Sequence, residues 1–171
     1  MILLILDYVN RKLVEFFKAK DIYHRLIVIL EDIEDVSFDS SDASSKINDT
    51  ISSTKSWSVS DNSPTDTIAM CRSTATRIIG ALRIDNGYCE RRHQACKEKN
   101  GWQTVGAVGM GIVSAIALFT VPILSAAAAG AAAGMGDDAK KTVENSKNHL
   151  SAVLSRNNRF IELLQSFSSS L

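Results

Sequence analysis

Cys89, His93 and Cys96 carry ligand atoms at i, i+4 and i+7, one face of a helix. Thiolate sulfur and imidazole nitrogen bind zinc, but structural zinc sites use close pairs such as Cys-x-x-Cys and a full set of four ligands. A fourth ligand is not identifiable here. Small apolar side chains in a helix seam account for both cysteines, so no metal is expected. The two thiols stand two turns apart, about 10 Å, too far for a disulfide within one helix. With Cys71 the cysteines number three. An odd count does not suit a disulfide framework and favours a reducing compartment.

The remaining chemistry is sparse. The chain has no His-Glu-x-x-His pair, no Ser-His-Asp order that stands out, and no phosphate-binding loop. Gly106, Gly109 and Gly111 follow no predicted strand and make no dinucleotide fingerprint. His24 and His149 sit among helical residues. No catalytic residue, cofactor or small-molecule substrate is expected, and the chain does not read as an enzyme.

The elements around these residues are helical. Leu3, Leu6, Val9, Leu13, Phe16 and Phe17 recur at three- and four-residue steps within residues 2–35. Asp21 is a candidate cap for a second segment, with Ile22, Leu26, Ile29, Leu30 and Ile33 as its apolar face. Whether the helix breaks at Lys18–Lys20 stays open. Residues 37–65 are rich in Ser, Asp, Thr and Asn and read as a flexible linker or a weak, polar helix. Ile47, Ile51 and Trp57 leave room for a short amphipathic helix at about 44–57. Residues 66–99 have the clearest period. Ile68, Cys71, Ala75, Ile78, Leu82, Cys89 and Cys96 form a near-heptad seam that Asp85 and Arg92 interrupt, with Asp66 as a plausible N-cap. Residues 137–167 form a last helix, opened by Asp137 and Asp138 and lined by Val143, Leu150, Val153, Leu154, Ile161, Leu164 and Phe167.

Charge is balanced overall, 19 basic against 19 acidic side chains, so no global field selects nucleic acid. It is uneven along the chain. Residues 1–66 hold 7 basic and 12 acidic groups, whereas residues 67–101 hold 7 and 3. The basic excess lies just before the most unusual segment. From Gly101 to Gly136 there are 36 residues without a charge.

An uncharged run of that length is a membrane-spanning candidate. The 23 residues from Trp102 to Leu124 would reach about 34 Å as a helix, enough for a bilayer core of about 30 Å. Pro122 would kink or break it, giving either one span or a helical hairpin turning near Thr120–Pro122. Trp102, Val105, Val108, Ile112, Ile116, Phe119, Pro122, Ile123 and Leu124 are the expected membrane-inserting residues. Gly130 and Gly134, with Ala107 and Gly111, have the small-x-x-x-small spacing that lets helices approach in lipid. Arg91, Arg92, Lys97 and Lys99 are placed to dock on an anionic lipid surface.

A basic helix ending in Arg91-Arg92-His93-Gln94-Ala95-Cys96-Lys97-Glu98-Lys99-Asn100-Gly101 is followed by a Gly/Ala-rich run with a central Phe119-Thr120-Val121-Pro122. A charged helix from Asp137 comes next. This order resembles the core of the apolipoprotein L family over residues 66–165. The resemblance implies a helical protein associated with intracellular or lipoprotein membranes, with channel activity in some members. Asn100-Gly101-Trp102 is also similar to the Gly-Trp boxes of apoptosis regulators with BH motifs, but the Leu-x-x-x-Gly-Asp core of a BH3 element is absent.

The expectation is a single all-α domain, a bundle of four to five helices around a Gly/Ala-rich hairpin. It would insert into membranes and permeabilise them or conduct ions, as a homo-oligomer. Its partner is then lipid, not nucleic acid, and its place is at a membrane, with a soluble form before insertion. The alternative is a soluble helical interaction protein, related to cell-death regulators, in which the hairpin is core.

Overall fold

The computed structural model describes residues 2–103 and 135–171. The expectations placed on residues 104–134, the hairpin and most of the membrane-inserting and small-residue positions among them, lie outside these. The described residues form four helices: α1 (Ile2–Glu34), α2 (Ser41–Lys55), α3 (Pro64–Gln103) and α4 (Met135–Ser169). The fold is all-α.

Two compact units divide the chain, one made of Met1–Glu90 with Ala152–Leu171, the other of Arg91–Ser151. The first holds the hydrophobic core. Ile22, Leu26, Leu30 and Ile33 enter it from α1, and Ile47 and Ile51 from α2. Cys71, Ala75, Ile78 and Leu82 enter from α3, and Ile161, Leu164 and Phe167 from α4. Four of the expected α1 core residues are therefore buried, and Ile29 is half-buried. Burial pushes the Cys71 thiol up to about 11, so it stays a neutral, small apolar side chain.

The structure settles three helix boundaries. α1 runs unbroken through Lys18–Lys20, and Asp21 is an exposed mid-helix residue, not a cap. Good helix formers fill that stretch, and no Gly or Pro interrupts it. α3 starts earlier than Asp66: Pro64 occupies the first turn, where its missing N–H costs nothing. The cap is Ser63, whose hydroxyl accepts from the Asp66 backbone N–H at 3.1 Å and donates to the Asp66 carboxylate at 2.6 Å.

The third boundary is that of α2. Of the two readings of residues 37–65, linker or polar helix, the helix holds: Ser41–Lys55 begins three residues before the expected 44–57 and buries Ala43, Ile47, Thr50, Ile51 and Thr54. Ser40 caps it, accepting from the Ala43 backbone N–H at 3.3 Å. Thr50 and Thr54 bond back to the carbonyls of Lys46 and Thr50 at 2.6 and 2.8 Å. These bonds satisfy hydroxyls that the helix would otherwise bury unpaired.

Among the described residues no helix is long and apolar enough to cross a membrane.

Candidate functional site

The α3 seam carries the expected residues and more. Cys71, Ala75, Ile78, Leu82 and Cys89 are buried, while Ile68 and Cys96 are half-buried. Asp85 and Arg92 do not interrupt the three- and four-residue steps; they occupy them. Asp85 is fully buried. Its carboxylate accepts the Ser40 backbone N–H at 2.8 Å and the Asn157 amide at 2.9 Å. The Arg156 guanidinium stands 3.7 Å away.

Each partner is held in turn. Asn157, also fully buried, donates to Asn86 at 2.8 Å and accepts from Arg156 at 3.1 Å. Asn86 reaches Asn158 at 3.2 Å. Arg156 donates to the Ser37 carbonyl at 3.1 Å and lies 5.3 Å from the Phe38 ring centroid. Cys89 donates its thiol proton to Asp39 at 3.1 Å. One buried carboxylate thus ties together the α1–α2 connection, the middle of α3 and α4. A buried carboxylate with both oxygens engaged and a guanidinium beside it acts as a clamp between the elements that hold its partners.

The unit Arg91–Ser151 holds a second polar pair. His93 is 7% exposed, and its ring nitrogen Nδ1 lies 3.1 Å from the Ser146 hydroxyl, a residue 53 positions away in sequence. Cys89 and His93 therefore have different hydrogen-bond partners. In the same unit Arg91, Lys97 and Lys99 are exposed and Arg92 is half-buried. The clamp residues Asn157 and Arg156, and Ser146 beside His93, were not singled out by sequence. Spacing was the available signal, because Asn157 falls four positions after Val153 and four before Ile161.

The first half of α1 presents the opposite situation. From Ile5 to Lys18 no side chain is buried. Leu6 is 54% exposed and Phe17 61%, against 0% for Leu26 on the same helix. At about 100° per residue, Ile5, Leu6, Val9, Leu13, Phe16 and Phe17 centre about 120° away from the direction of Ala19, Ile22, Leu26, Leu30 and Ile33. The side that continues the core direction carries Tyr8, Lys12 and Glu15 instead. Arg11 pairs with Asp7, and Lys12 with Glu15 at 2.9 Å, all exposed. Such pairs add little stability.

Set against known proteins, the chain matches no family model, no curated protein and no solved structure.

Proposed function

We propose that the chain is a membrane-active helical protein. Its uncharged segment, Gly101–Gly136, inserts into a lipid bilayer as a helical hairpin and makes it permeable, several copies assembling through Gly130 and Gly134. The observation that carries this reading is the pairing of His93 with Ser146, 53 positions apart. The chain between them leaves and returns to one place, and its middle is 36 residues without a charge. Charged helices on both sides, with Arg91, Lys97 and Lys99 exposed on one, suit a segment offered to lipid from a polar base.

The test is vesicle flotation with dye release, comparing the full-length chain with Ile116→Asp. A carboxylate at that position costs about 2.5–3.5 kcal/mol on insertion scales. Loss of leakage in a variant whose circular dichroism is unchanged supports insertion. Equal leakage by both proteins removes residues 102–124 from the mechanism. Neither binding nor leakage by the unmodified chain favours a helical interaction protein that keeps the segment as core.

A further inference from the structure

We infer that the first half of α1, residues 5–20, is an interfacial helix that lies in the surface of an anionic membrane. This rests on the membrane reading above and assigns the docking step to a different element from the inserting one. The apolar stripe of Ile5, Leu6, Val9, Leu13 and Phe17 is exposed. It is also turned away from the direction in which the same helix buries its core residues, so extending the bundle seam would not cover it. An apolar face that the fold leaves outside its own core has a use elsewhere.

Charge selects the occupant. Arg11, Lys12, Lys18 and Lys20 stand against Asp7 and Glu15. The two acids already pair with Arg11 and Lys12. Among the described residues Lys18 and Lys20 have no ion-pair partner, and both are exposed. Lys18 stands opposite the stripe, so Arg11, Lys12 and Lys18 against Asp7 and Glu15 leave the polar face net positive; Lys20 closes the C-terminal end of the stripe, where its long stem lets the ammonium snorkel to the headgroups. Such a helix lies in the headgroup plane of an anionic bilayer, its stripe sunk to the acyl boundary. A second copy fits less well. The stripe covers about 24 Å by 10 Å, roughly 240 Å², against about 800 Å² per partner in a stable interface.

The test uses full-length protein with phosphatidylcholine vesicles, with and without phosphatidylserine. One variant joins Leu6→Gln, Leu13→Gln and Phe17→Gln; all three side chains are exposed, so the bundle should keep its circular dichroism and melting temperature. A second joins Lys18→Gln and Lys20→Gln. The triple variant is expected to lose about 100-fold in partitioning. The double variant is expected to lose about 25-fold on anionic vesicles at low salt and nothing on neutral ones. Ile116→Asp separates the two readings. If it abolishes leakage but still floats with anionic vesicles, and the triple variant does not float, docking by α1 stands whatever the fate of insertion. If the triple variant binds and leaks like the unmodified chain, docking by α1 is overturned and insertion survives. A sedimentation mass that falls from dimer to monomer in the triple variant, with lipid binding unchanged, assigns the stripe to a second copy and also overturns the proposal.

Discussion

α2 and the first half of α1 invert the usual relation between composition and burial. Ser41–Lys55 is mostly Ser, Thr, Asp and Lys, yet five of its residues are buried, Ala43, Ile47, Thr50, Ile51 and Thr54. Between Ile5 and Phe17 the chain is rich in Ile, Leu, Val and Phe, and none of those side chains is buried. Burial follows where apolar groups point, not how many there are. In α2 the buried positions fall at three- and four-residue steps on one face, and the threonine hydroxyls there bond back to the helix. In α1 the stripe is wide, but it faces away from the side on which the rest of the helix meets the core. A polar helix with its few apolar residues in register folds in; an apolar one out of register stays bare.

The comparison can be broken from either side. The largest effect is expected where α2 is tied down. Asp85→Ala leaves the Ser40 N–H and the Asn157 amide without their acceptor and the Arg156 guanidinium without its carboxylate. Losing one partner of such a buried group costs about 3–5 kcal/mol, and urea unfolding would read it. A near-wild-type midpoint would mean that water replaces the carboxylate and that the clamp is not what holds the start of α2. Next come Ile47→Ala and Ile51→Ala, 0% and 1% exposed, at about 3 kcal/mol each. Leu13→Ala removes an apolar group of the same size from a more apolar helix, and its stability should change by no more than about 0.5 kcal/mol. Equal losses at Leu13 and Ile51 would show that the first half of α1 is packed in solution, and the contrast would dissolve.

Much of this architecture could be read from spacing. The α3 seam from Ile68 to Cys96 and the α4 face at Val153, Ile161, Leu164 and Phe167 repeat the helical period, and the structure buries most of both. The buried aspartate could not be read the same way. Its spacing put it in the seam, but a carboxylate in an apolar row looks like an error until its partners are known. Those partners lie 45 and 72 positions away, beyond the reach of local periodicity. α2 was obscured by composition, since two isoleucines among serines give a weak apolar signal and the cap at Ser40 is one of many serines. The stripe on α1 was legible as a stripe. That it meets no neighbour depends on the path of the other helices, which no window on α1 contains.

Asp85 also dates itself in the history of each folding event. Its hydrogen bonds join chain segments 45 and 72 positions apart, so they gain nothing until the α1–α2 connection, the middle of α3 and α4 have already found one another. Local helix growth comes earlier, because closing long loops has an entropic cost before any distant contact repays it. The clamp is therefore expected to close late, after the transition state. Removing it should leave the folding arm of a stopped-flow chevron nearly unchanged and raise the unfolding arm, as faster escape from the native state. In that sense the aspartate acts less as a guide to the fold than as a lock on its lifetime.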